Sequence, residues 1–193
     1  PVALRWQTLT LRQKRSLLIL PVLAAVGSPA MALLPALAQQ INPENAAGLA
    51  LPLLFARSLG QLCGPLLLRK ESLTRFAART PLLLSCLALF LAAYGLLPFL
   101  SAWVVLALGI IFIAHLASNI VFAAGTFGVL SNFQAIQISA ASGKAWRWQT
   151  LSASLFTGLA AMTATILGAA QTLYAVSAIA LLLVALVLAH YRE

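Results

Sequence analysis

One basic residue stands where a lipid bilayer would make it costly. Arg57 lies midway along the apolar run LALPLLFARSLGQLCGPLLL, about 16 Å from either end of its predicted helix at about 1.5 Å of rise per residue. That is too far to snorkel, so its guanidinium must face protein or a water-filled cavity. The chain has only 3 acids, Glu44, Glu71 and Glu193, and all are expected in loops. The candidate partners of Arg57 are therefore backbone carbonyls, an acid outside these residues, or an anionic substrate. Gln61 follows at i+4 on the same face, where its carbonyl oxygen can steady the guanidinium. Gly60 and Gly64 sit beside them at a spacing that lets another helix approach closely.

A second polar stripe runs through FIAHLASNIVFAAGT. His115, Asn119, Phe122 and Thr126 share one helix face, with Ser118 beside them. Polar groups at this depth rarely meet lipid. They either line a cavity that touches substrate or relays protons, or they hydrogen-bond between helices. A third candidate is Ser28 in AVGSPAMALLP, where Pro29 and Pro35 each remove a backbone donor and favour a kink. Such a helix suits a gating element or a simple structural bend. Catalytic chemistry has little to work with. There is no Walker A, HExxH or GxSxG pattern and no metal-ligand cluster, so no enzyme activity, cofactor or metal is expected. Cys63 and Cys86 lie inside apolar runs without CxxC spacing and read as small buried hydrophobes.

The elements that position these residues follow from composition. The chain is 62% hydrophobic and 8% charged, whereas a soluble domain is about a quarter charged. Six segments reach the length of about 20 apolar residues that a bilayer requires. They are expected at 17–39, 46–68, 81–100, 103–131, 149–170 and 173–190, preceded by a cytoplasmic linker, 1–16. The net charge of +9 is distributed as a topology signal. Every one of the 12 Lys and Arg residues except Arg57 falls in the N-terminal stretch, in loop 69–80, around Lys144 and Arg147, or at Arg192, while the alternate links are uncharged. By the positive-inside rule the basic side and both termini are cytoplasmic. A nucleic-acid partner is not expected, since the charge is not gathered on one water-facing surface. Trp6, Trp103, Trp146 and Trp148 fall at predicted helix ends or in loops, as interfacial anchors do. Very short uncharged links make spans three and four, and five and six, antiparallel neighbours. The expected fold is thus an all-α, polytopic six-helix membrane protein that divides into two triplets of opposite orientation, the pattern of a 3+3 inverted repeat.

The pattern resembles the C-terminal six-helix half of a major facilitator superfamily transporter, and is most similar to bacterial exporters of drugs and siderophores. LRWQTLTLRQKRSLLILPVLAAVGSPAMALLPALAQQ looks like the end of the central cytoplasmic loop and the helix after it. GQLCGPLLLRK looks like a degenerate Gly-rich basic loop motif, carried here by Gly60, Gly64, Arg69 and Lys70 without its acidic residue or later glycine. VFAAGTFGVLSNFQ looks like a Gly-rich exporter helix. SGKAWRWQ stands where exporters often carry an RGR-like run.

The resemblance implies alternating-access transport of a small molecule across the inner (cytoplasmic) membrane, with efflux coupled to protons. Spans one and four would line the central cavity, with Ser28, His115, Asn119 and Phe122 as cavity residues beside Arg57 and Gln61. His115 is the one titratable candidate for coupling in this half, so any coupling carboxylate is expected elsewhere. The implied partners are the bilayer, a small-molecule substrate, and an N-terminal six-helix half or a second six-helix chain. The opening Pro1, without a signal-cleavage pattern, fits an excerpt of a longer protein. The alternatives are a non-transporting six-helix subunit or scaffold, and an ABC-type permease, whose cytoplasmic coupling segment has no distinctive candidate here.

Overall fold

The computed structural model describes residues 3–192; Glu193 lies outside them, with Pro1 and Val2. Seven α-helices follow in order: α1 Leu11–Ile41, α2 Ala46–Leu66, α3 Lys70–Ala78, α4 Thr80–Leu96, α5 Val104–Asn132, α6 Ala135–Leu167 and α7 Ala169–His190. All but α3 are long and apolar enough to cross a membrane, α4 together with the 3-10 turn Leu97–Phe99 that continues it, and among the described residues there is no strand. The chain is an all-helical, multi-pass membrane protein.

Helix ends differ from the hydropathy reading wherever local chemistry overrides it. The helix α1 begins at Leu11, inside the expected 1–16 linker, because Thr10 caps it. Thr10 Oγ1 accepts from the Gln13 amide at 3.2 Å, while Gln13 Oε1 accepts from the Thr10 amide at 3.1 Å. It then runs unbroken through Pro21, Pro29 and Pro35. Residues 69–80, expected as a loop, hold α3. The turn between α6 and α7 is one residue, Gly168, whose φ of +77° is a backbone conformation only glycine adopts freely.

The largest correction is α6, which starts at Ala135 rather than 149, so Lys144 and Arg147 are helical rather than in a loop. Its first turns do not bury themselves in the main bundle. Ala141 and Ala145 pack with Leu9, Leu17, Leu20, Val129 and Phe133 into a small second core. The N-terminal segment folds over this core. Trp6 meets Trp148 edge-on at 5.3 Å, and Lys144 Nζ donates to the Leu4 carbonyl at 3.0 Å. Trp6 and Trp148 therefore serve a tertiary contact. Trp103, next to the start of α5, is 66% exposed and keeps the surroundings of an interfacial anchor.

In the main bundle α1 is the most enclosed helix and α6 the least. The most extensive pairings are α1 with α6 and α2 with α5. Helices α1 and α5 cross at the centre, while α4 packs on α5 and α7 on α1. Glycines set the closest approaches. A Cβ at Gly60 would collide with the Phe112 carbonyl, and one at Gly64 would sit 2.7 Å from the Leu116 carbonyl. Gly60 and Gly64 are thus buried packing residues of α2, not members of a loop motif; only Arg69 and Lys70 follow the helix.

The basic end of the bundle is closed by Arg15, which is 2% exposed. Its guanidinium donates to the carbonyls of Ala77 at 3.0 Å, Leu188 at 3.1 Å and Tyr191 at 3.4 Å, and to Thr80 Oγ1 at 3.0 Å. One side chain of α1 thereby holds the end of α3, the start of α4 and the end of α7.

Candidate functional site

The bundle encloses a cleft of about 430 Å³ at mid-depth. From α1 come Leu23, Ala24, Gly27, Ser28 and Met31, a stripe at helical spacing. Gln61 enters from α2 and Phe90 from α4. Helix α5 adds Ser118, Asn119 and Phe122. Helix α6 adds Trp146, Gln149, Thr150, Ala153 and Ser154. Trp146, Thr150 and Ser154 are exposed, so this wall stands open. Phe122 and Trp146 also border a neighbouring, more apolar pocket of about 210 Å³, toward Leu20 and Val129.

Four predicted site residues, Ser28, Gln61, Asn119 and Phe122, meet in this cleft. Arg57 and His115 do not line it. Their spacing put them on the right helix faces but one turn off in depth. Arg57 precedes Gln61, His115 precedes Asn119, and Tyr94 follows Phe90, each by one turn. Because neighbouring spans run in opposite directions, all three offsets point toward the uncharged end. There His115 is 1% exposed. Its Nε2 and the Tyr94 hydroxyl share a 2.6 Å hydrogen bond, and Nδ1 is buried without a partner among the described residues. Arg57 lies within electrostatic reach of both rings, and its Nε is likewise buried and unpartnered there. Phe90, which lines the cleft, packs on the Tyr94–His115 pair, with its ring centroid 4.7 Å from Tyr94 and 5.3 Å from His115.

The cluster's main link is the Tyr94–His115 bond. Hydrogen bonds between membrane helices average about 0.6 kcal/mol with a ceiling of about 1.7. Tyr94→Phe should approach that ceiling, at about 1.5 kcal/mol, because it leaves both ring nitrogens of His115 buried without partners. Reversible unfolding of the purified protein in mild detergent measures it. An unchanged midpoint would mean that water already solvates the imidazole.

Within the cleft Asn119 is held in a defined orientation. Asn119 Nδ2 donates to the His115 carbonyl at 3.0 Å and to Ser118 Oγ at 3.4 Å, which leaves its carbonyl oxygen as an acceptor. Gln149 Oε1 is buried and has no hydrogen-bond partner among the described residues. Ser152, one turn along α6 from Trp148, donates to the Pro21 carbonyl at 2.8 Å and fixes α6 against α1. The contribution of α6 was missed in the sequence. Trp146, Gln149, Thr150 and Ser154 do form an i, i+3, i+4 stripe, but placing the helix start at 149 removed Trp146 from it and hid the pattern.

Among the described residues no group of three or more His, Cys, Asp or Glu side chains gathers as a metal site requires. Compared with models of known protein families, with curated proteins and with solved structures, the chain matches none.

Proposed function

We propose that this chain is one half of a secondary transporter built on the major facilitator plan, moving a small molecule by alternating access. The observation that carries the reading is the exchange symmetry of helix pairing. Exchange α1, α2 and α4 for α5, α6 and α7 in order. The pair α1–α6 then becomes α5–α2, and α4–α5 becomes α7–α1, while α1–α5 and α4–α7 map onto themselves. All of these pairs exist, and the first two are the most extensive in the molecule. Two triplets inserted in opposite directions generate this pattern. Two pairs lack a counterpart: α6 packs on α7 across the Gly168 turn, whereas α3 intervenes between α2 and α4, and α1 packs on α4 without an α5–α7 contact of matching extent.

On this reading the basic end is cytoplasmic, both termini lie there, and the membrane is the inner one. The open wall of the cleft, together with the exposed apolar faces of α2 and α6, receives a second six-helix body, either an N-terminal half or another copy. Substrate binds between the two bodies, and efflux is the favoured direction. His115 is shut off by Phe90, so a proton-coupling group belongs to the other body. No catalytic chemistry or nucleic-acid binding enters the scheme.

Alternating access is testable without knowing the substrate. Place Ser154→Cys in a background of Cys63→Ser and Cys86→Ser, in the full reading frame. A membrane-impermeant maleimide should label it from either side of the membrane, at rates that shift in opposite directions when the proton gradient is reversed. Labelling confined to one side under every condition would rule out alternating access and leave a static subunit.

A further inference from the structure

We infer that the cleft takes an uncharged, planar aromatic molecule that donates hydrogen bonds; this rests on the transporter reading above and names its substrate class. Arg57, the only basic residue in the spans away from the basic end, invites the opposite conclusion, an anion. But Arg57 is not part of the cleft lining; it sits one helical turn before Gln61, within electrostatic reach of Tyr94 and His115. Among the described residues, no Asp, Glu, Lys, Arg or His lines the cleft. A carboxylate or ammonium entering it would lose hydration and meet no countercharge in direct contact, an unfavourable exchange.

What the lining does offer is specific. Phe90, Phe122 and Trp146 provide aromatic faces, and stacked or edge-on ring contacts add to the burial of apolar area. Gln149 Oε1 is a buried acceptor awaiting a donor. The amine of Asn119 is already engaged, so it too presents an acceptor. A buried, unpartnered acceptor such as Gln149 Oε1 favours molecules carrying N–H or O–H groups, because an analogue without them leaves that oxygen unpaired. The volume of about 430 Å³ falls in the usual range for small-molecule sites. The adjoining pocket of about 210 Å³, behind Phe122 and Trp146, gives room for an apolar extension of the same molecule.

A matched pair of fluorophores separates these possibilities. Aminomethylcoumarin is planar, uncharged at neutral pH and carries an aromatic amine donor; aminomethylcoumarin acetate adds a carboxymethyl group, and with it a negative charge, to the same scaffold. Ethidium supplies a planar cation. The full-reading-frame protein is expressed in inverted membrane vesicles, and uptake of each is followed after energisation. Aminomethylcoumarin should be carried, and the acetate and ethidium should not. Gln149→Leu and Phe122→Ala should each raise the KM for aminomethylcoumarin about tenfold, the size of effect of one lost contact of about 1.4 kcal/mol. Preferential carriage of the acetate or ethidium would overturn the substrate class and leave the transporter reading standing. If nothing is carried, titration of the purified protein with aminomethylcoumarin decides. Quenching of tryptophan fluorescence that is lost in Trp146→Phe keeps the ligand class and removes the transport function, and no quenching removes both.

Discussion

Arg15→Ala should cost about 3 kcal/mol of the stability of the helical bundle, because hydrogen bonds from a charged donor are each worth about 1.5–3 kcal/mol and some of the freed carbonyls regain water. The side chain is 2% exposed and reaches α3, α4 and the end of α7 at once. Two of its acceptors are carbonyls at or just beyond the C-terminal turn of α7, where helix ends carry partial negative charge and favour a cation. Arg15→Lys should recover less than half of the loss. An ammonium keeps the charge near the α7 terminus but lacks the planar fork that spans Ala77, Leu188 and Thr80 together. Thr80→Ala removes one of those acceptors and should cost under about 1 kcal/mol. The comparison is made by unfolding the purified full-reading-frame protein in mild detergent, followed by loss of helicity. If Arg15→Ala changes stability by less than about 0.5 kcal/mol, the guanidinium behaves as an exposed ion pair does and holds nothing together.

Arg15 also marks where sequence reasoning stopped. In the sequence it is one of several basic residues before the first span, and every one serves equally as a topology signal. Nothing in its spacing sets it apart from Arg12 or Lys14. Its role depends on contacts up to 176 positions away in the chain, which periodicity does not encode. The six spans were legible because a run of about 20 apolar residues has few other destinations. Their ends were less so. The first turns of α6 are helical through a second core formed with Leu9 and Leu17, not through hydropathy. The cleft was half legible for a related reason. Spacing identifies a helix face, so Ser28, Gln61, Asn119 and Phe122 converged as expected. Spacing does not identify depth, so His115 fell behind Phe90 and Arg57 a turn short of the cleft lining.

That misplacement changes what the polar residues of the bundle are for. An arginine in a cavity argues for an anionic substrate. A half-buried arginine beside a tyrosine and a histidine, outside the cleft lining, argues for a structural cluster that stiffens the packing of α2 and α4 on α5. The cleft is then left with neutral amides, hydroxyls and aromatic rings. Stiffness on the uncharged side and openness on the α6 side are compatible with one body rocking against another, since only the lining of the cleft need change surroundings.

The contact of α2 with α5 should be the most sensitive seam in that rigid body. Gly60→Ala and Gly64→Ala should each destabilise the protein by about 2 kcal/mol, within the range of about 1–3 for overpacking. The new methyl group meets backbone in each case, the Phe112 carbonyl for Gly60 and the Leu116 carbonyl at 2.7 Å for Gly64. Backbone of a packed helix does not swing aside as a flexible side chain does, so α2 and α5 must separate as bodies. The two costs should therefore not add. The glycines are one turn apart on α2 and press on the same stretch of α5, so the displacement forced by the first relieves the second. The double substitution should cost about 3 kcal/mol rather than about 4, a coupling of the size seen between contacting residues. Gly109→Ala is the internal control. Nothing lies within 4 Å of where a Cβ would stand, and a helical alanine is favoured over glycine by about 1 kcal/mol, so this change should be neutral or stabilising. Strict additivity at Gly60 and Gly64 would show that each methyl is accommodated locally. A cost at Gly109 equal to theirs would show that close α2–α5 packing is not what these glycines provide.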